Sequence, residues 1–176
     1  MRIDTIKTEV YQFSELSEKA KENAIEKLYD INIEFDWWDS VYEDAENIGL
    51  KITSFDTDRG SYCTLENKDG WSFVADKILS EHGKKCESYQ LSKEFLKNRD
   101  SLVCKYKGDN ENSVSYENEY DFDNECDELE GEFKKALQEE YLSILRCQYE
   151  YLTSKEAIIE TIEANKYEFT KEGVLY

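Results

Sequence analysis

The chain is 176 residues long and carries 22 Lys and Arg against 41 Asp and Glu, a formal net charge of -19, with an aromatic content of 14%. A body this negative repels nucleic acid and anionic lipid and attracts basic surfaces, so neither direct DNA or RNA binding nor membrane association is expected. Its 13 Tyr and 8 Phe set it apart from acidic disordered tails, which lack the apolar surface that offsets chain entropy.

The length suits one acidic α+β domain over residues 1–176, with room for two tightly joined lobes. Residues 3–13 are β-branched and aromatic with partial alternation and predict a strand. Ser17 is a good N-cap for a helix over about 18–31, with Ala20, Ala24, Leu28 and Ile31 at helical spacing. A second helix is predicted from about Asp36 to Ile48. Trp38, Val41, Ala45 and Ile48 form its apolar stripe, and Gly49 stands where a left-handed C-cap is wanted. Residues 50–58 and 61–67, separated by Arg59-Gly60, read as a hairpin.

Helices follow over about Trp71–Glu81, closed by His82-Gly83, and over Glu87–Tyr106, with Leu91, Phe95, Leu102 and Tyr106 as inward candidates. The acidic, Asn-rich stretch 108–124 is predicted as a loop, and a long helix over about 125–152, with Phe133, Leu137, Tyr141, Ile144 and Leu152 facing inward. Thr153 and Glu156 fit a capping box for a last helix ending at Asn165, before a short C-terminal hairpin. The expected architecture is a small antiparallel sheet, made of the N-terminal strand, the central hairpin and the C-terminal hairpin, covered by four to six helices.

Catalytic motifs are missing. The one histidine, His82, lies at a predicted helix end, where a cation meets the negative end of the helix dipole. No nucleophile elbow, phosphate-binding loop, dinucleotide fingerprint or zinc-protease pair occurs. Carboxylate chemistry with a divalent metal stays as a minor alternative. Asp121, Asp123, Glu125, Asp127 and Glu132 have a superficial calcium-loop spacing, but Cys126 stands where the sharp turn needs glycine. The expectation is a non-enzyme with no catalytic residues, no metal and no cofactor. Five cysteines (Cys63, Cys86, Cys104, Cys126, Cys147) without a C-x-x-C pair read as free thiols of a reducing compartment. The N-terminus has no apolar signal core, and no stretch approaches membrane-span length, so a cytoplasmic location is expected.

The sharpest feature is the acid run Glu117, Glu119, Asp121, Asp123, Glu125, Asp127, Glu128, Glu130 and Glu132, uninterrupted by Lys or Arg. In a helix these sixteen residues would span ~24 Å, or ~2.7 Å per charge. One strand of B-DNA carries a charge every ~3.4 Å along its axis. Tyr116, Tyr120 and Phe122 are interleaved with the acids and serve either as interface anchors or to dock the segment on its own domain. A second acidic face is expected from Asp36, Asp39, Glu43 and Glu46, opposite the Trp38 stripe.

The segments VYQFSELSEKAKENAIEKLYD, DWWDSVYEDAENIGLKITSFDTDRG and EYLTSKEAIIETIEANKYEFTKEGVLY resemble a widespread group of phage and prophage proteins, sometimes labelled antitoxin-like, that has no established active site. The resemblance covers nearly the whole chain and implies a phage origin. In size and charge the chain is also similar to small acidic phage inhibitors of host defence. The expected function is therefore an anti-CRISPR or anti-restriction protein, whose acids occupy the cationic nucleic-acid-binding surface of a basic host protein, a defence nuclease or CRISPR effector. The alternative is an antitoxin-like or regulatory partner of a basic host protein.

Overall fold

In a computed structural model of the chain, which describes residues 9–106 and 119–176, helices and short antiparallel strands build an α+β fold. In chain order the elements are β1 (Tyr11–Gln12), a 3-10 turn (Phe13–Glu15), α1 (Glu18–Lys27), α2 (Asp39–Asn47), β2 (Leu50–Asp56), β3 (Tyr62–Asn67), α3 (Trp71–Glu81), α4 (Glu87–Tyr106), α5 (Glu119–Leu152), α6 (Lys155–Asn165) and β4 (Glu168–Phe169). They fall into two compact units. One contains the residues up to Trp37 together with Cys147–Tyr176, and the other is Trp38–Arg146.

The first unit is built on the apolar spacing of two helices. Ala20 and Ala24 of α1 meet Ile158 and Ile162 of α6, with Phe13, Leu16 and Phe169 completing the core. The Phe13 and Phe169 rings lie 6.2 Å apart. Ser17 caps α1 by accepting from the Ala20 N–H at 3.3 Å. The N-cap of α6 is Ser154, which accepts from Ala157, and not Thr153. The Thr153 hydroxyl instead donates back to the Tyr149 carbonyl at 2.9 Å and closes α5. Lys166 turns left-handed (φ 53°) after α6, so that the Lys166 and Tyr167 N–H groups satisfy the last carbonyls.

Two expectations change in this unit. α1 stops at Lys27 instead of running to residue 31. Beyond it, Asp30 and Asn32 favour turns, and Asn32 gains two tertiary bonds: it donates to the Leu152 carbonyl at 2.9 Å and accepts from Thr161 at 2.7 Å. The N-terminal strand is seen at Tyr11–Gln12, paired with Glu168–Phe169, and residues 3–8 of its predicted range lie outside those described. It ends because the Glu15 carboxylate accepts from the Gln12 N–H at 2.7 Å and starts a 3-10 turn. Among the described residues the single shared sheet is not formed: β1 pairs with β4, and β2 with β3.

In the second unit, Leu50, Ile52, Cys63 and Leu65 of the hairpin are buried, as are Val41, Ala45 and Ile48 from α2 and its C-cap. Trp38 packs edge-on to Phe55 at 5.5 Å. The α3–α4–α5 portion buries Val74, Ala75, Ile78, Phe95, Phe133, Leu137, Tyr141 and Leu145. Phe95 stacks on Phe133 at 4.3 Å, and Trp71 meets Phe133 edge-on at 6.0 Å. Ile144 and Leu152, predicted inward, are respectively exposed and half-buried. Among the described residues, no helix is long and apolar enough to cross a membrane.

Gly173 has φ 79°, and a Cβ there would overlap the Ala20 carbonyl, where Asn23 also donates to the Glu172 carbonyl at 2.6 Å. Gly173→Ala should cost ~2–4 kcal/mol through strain and overlap together. Gly131 sits within α5 with open space around it, so Gly131→Ala should stabilise by ~0.5–1 kcal/mol. Urea denaturation of both variants checks the pair.

Candidate functional site

The acid run begins helical earlier than its composition suggests. Residues 119–124, predicted as loop, form the first turns of α5, while Tyr116, Glu117 and most of the predicted loop lie outside the described residues. Three interactions account for the extension. Glu119 and Asp121 occupy the positive end of the helix dipole. Phe122 packs edge-on against Tyr106 at 5.6 Å. Glu125 accepts from Lys105 Nζ at 2.6 and 2.7 Å and from the Tyr106 hydroxyl at 2.7 Å.

This clasp joins the end of α4 to the start of α5, two helices running antiparallel. Lys105 first, and then Tyr106, hold the Glu125 carboxyl below its ordinary range. In return, the bond from Glu125 raises Lys105 and Tyr106. Glu125 is therefore a structural anchor and not a free charge.

Helical geometry then sorts the remaining acids. At 3.6 residues per turn, Glu119, Asp123, Asp127 and Glu130 follow one flank of α5, and Asp121, Glu125, Glu128 and Glu132 the other. Within the first stripe successive charges rise by ~4.5–6 Å, sparser than the ~3.4 Å of one DNA strand. The continuous line expected from the sequence is thus two stripes. All but Glu125 and Glu130 are exposed. The second stripe borders an open groove of about 420 Å³ between α4 and α5, where Glu125, Glu128 and Glu132 face Asn98, Ser101 and Leu102. Of the interleaved aromatics, Phe122 docks inward, whereas Tyr120 stands 79% exposed between Glu119 and Asp121.

The second acidic face is only partly assembled. Asp39, Glu43 and Glu46 are exposed on α2, opposite Val41 and Ala45. Asp36 precedes the helix and belongs to the other unit. α2 starts at Asp39 because Trp38 is its N-cap, with its ring against Phe55.

A polar relay that sequence reasoning missed lies in the second unit. Asp44 accepts from the Tyr141 hydroxyl at 2.8 Å. His82 places Nε2 3.5 Å from the same carboxylate and Nδ1 2.8 Å from the Ser88 hydroxyl. His82 and Tyr141 together hold the Asp44 carboxyl below its ordinary range against the opposing effect of burial, and burial first of all drives Tyr141 upward. Ser, His and Asp in contact suggest acyl transfer, yet Ser88 is only 4% exposed, which leaves no room for a substrate carbonyl. The relay instead ties α2, the end of α3, the start of α4 and α5 together. Only the i, i+4 spacing of Ser88 with buried Ser92 on α4 hinted at a polar inward face.

Among the described residues no group of three or more His, Cys, Asp or Glu side chains could hold an ion. The calcium-loop spacing fails for a positive reason, since a continuous helix puts Asp121 and Asp123 on opposite flanks. All five cysteines are free thiols, with Cys86, Cys104 and Cys147 exposed and Cys63 buried.

Two measurements test these assignments. Tyr141→Phe should destabilise by ~1–2 kcal/mol by leaving the Asp44 carboxylate without its donor. Because the folded Asp44 carboxyl lies below its ordinary range, its contribution is present above the unfolded value of ~3.9 and fades as pH falls through the folded value. Asp44→Asn should therefore flatten the acid limb of a stability-versus-pH curve below about pH 4. In a thiol-reagent assay on the folded protein at pH 8, Cys86, Cys104 and Cys147 should react readily. Cys63, pushed up to about 11 by burial, should react only on unfolding.

No protein-family model, curated protein or solved structure matches this chain, so what its acidic helix does follows from the chemistry of its own residues.

Proposed function

We propose that the protein acts by being bound, presenting the N-terminal half of α5 to a cationic surface of a larger protein. The observation that carries this reading is one helix face-pair of carboxylates, Glu119, Asp121, Asp123, Asp127, Glu128, Glu130 and Glu132, in a stretch where no Lys or Arg occurs between Lys107 and Lys134. Like charges at i, i+4 destabilise a helix. A cationic groove relieves that repulsion on binding, and negative charge steers the approach. Tyr120, exposed between two of the acids, supplies apolar area for an anchor.

The surface that best fits this chemistry is the Lys- and Arg-lined channel of a nucleic-acid-binding effector. With the phage-like sequence segments, this makes the chain an anti-defence protein of the host cytoplasm, either anti-CRISPR or anti-restriction, which excludes DNA or RNA by occupying its site. It needs no catalytic residue or cofactor. The divergence of the stripes and the diversion of Glu125 to Lys105 favour a second reading, an antitoxin-like or regulatory complex with a basic protein that does not compete with nucleic acid.

Two triple variants separate the stripes: Glu119→Gln/Asp123→Asn/Asp127→Asn and Asp121→Asn/Glu128→Gln/Glu132→Gln. Mixed with a candidate CRISPR effector or restriction nuclease, the parent should form a complex that weakens steeply between 50 and 200 mM salt, about the range over which phosphate contacts are lost. At least one triple should bind tenfold or more weakly, in line with loss of several ~1 kcal/mol charge contacts. Displacement of nucleic acid supports the first reading, and a complex that leaves nucleic acid in place supports the second. Equal inhibition by the parent and the six-site variant rules out mimicry.

A further inference from the structure

Away from α5's acidic half, residues 28–37 of the first unit form a chain of turns, and Phe35 within them is 82% exposed. A single exposed apolar side chain is ordinary. This one differs in how it is held and in what surrounds it. The Trp37 N–H donates to the Phe35 carbonyl at 2.7 Å. The Trp37 carbonyl accepts from Gln148 at 2.7 Å, and the Trp37 ring packs against Tyr149 at 5.6 Å. A few residues earlier, Asn32 donates to the Leu152 carbonyl and accepts from Thr161. The segment is thus pinned at both ends to the end of α5 and to α6. Two further exposed rings, Tyr29 (44%) and Tyr151 (58%), lie on the same tied segments.

The segment that carries Phe35 holds charge of one sign. Asp30, Glu34, Asp36 and Glu150 are all exposed, and no Lys or Arg occurs between Lys27 and Lys51. A stiff turn that projects an aromatic ring is preorganised, so little ordering entropy is lost on docking. Flanking carboxylates are buried only against opposite charge. We infer that Phe35, with Tyr29 and Tyr151 on the same tied segments, anchors a docking surface for a protein partner presenting an apolar socket ringed by Lys or Arg side chains. The ring fills the socket while Glu34 and Asp36 meet the cations at its edge. This surface is independent of the α5 stripes.

A random peptide library displayed on phage and selected against the full chain tests it, with recovered peptides synthesised and their affinities measured. The expected peptides place an apolar residue close to two or more Lys or Arg. Phe35→Ala should weaken them at least about tenfold, the cost of losing a central anchor, while Tyr120→Ala leaves their affinity unchanged. Circular dichroism of Phe35→Ala should match the parent, since the ring faces solvent. Failure to recover any peptide, recovery of peptides without that pattern, or equal binding to Phe35→Ala overturns the inference. So does a concentration-dependent dimer in sedimentation that Phe35→Ala abolishes, because the occupant is then a second copy. None of these outcomes depends on α5 neutralisation, so each surface stands or falls alone.

Discussion

Eight carboxylates crowd the first fourteen residues of α5 without one cation among them, and an isolated peptide of that composition would gain little by becoming helical. Repulsion between acids at i, i+4 works against it, and helices of this length are marginal in water even for good formers. What holds the helix is the surface it lies on. The stacked Phe95 and Phe133 rings, the Phe122 edge on Tyr106 and the Lys105–Glu125–Tyr106 clasp fix it to α4. The display of negative charge depends on that antiparallel pairing.

The same pairing decides how the charge is presented. By drawing Phe122, Leu129 and Phe133 toward α4 it leaves the acids on both flanks of the helix, some toward the groove beside Asn98 and Ser101 and some on the opposite side. A partner that reads only one flank meets four carboxylates, and on the groove side one of them is Glu125, already committed to Lys105. The field of the whole molecule is still strongly negative, and it acts over roughly a Debye length of ~8–10 Å in physiological salt. Attraction at a distance and register at contact thus come from different features: net charge gives the first, the stripes the second.

The Asp44–His82–Ser88–Tyr141 relay illustrates how three catalytic residue types can be spent on architecture. Each polar atom it contains would be costly if buried alone, and together they satisfy most of that demand while joining four helical elements. The hydroxyl that would have to attack a substrate, that of Ser88, is itself buried, and this separates the arrangement from a hydrolytic triad more firmly than any distance within it.

Local chemistry written in the chain determined the helices α3, α4 and α6, the central hairpin and the α+β class, because apolar period, caps such as Ser17 and the glycine turns act over a few residues. It also determined the charge, and hence the sign of any partner. Tertiary contacts decided where α5 begins, since Tyr106 and Lys105 are remote in sequence from Phe122 and Glu125. They likewise shortened α1, as Asn32 found partners at Leu152 and Thr161. The exposure of Phe35 and the division of the acids into stripes belong to the same class. A sequence states which side chains exist and how they repeat, whereas which of them meet water depends on surfaces brought together from far along the chain.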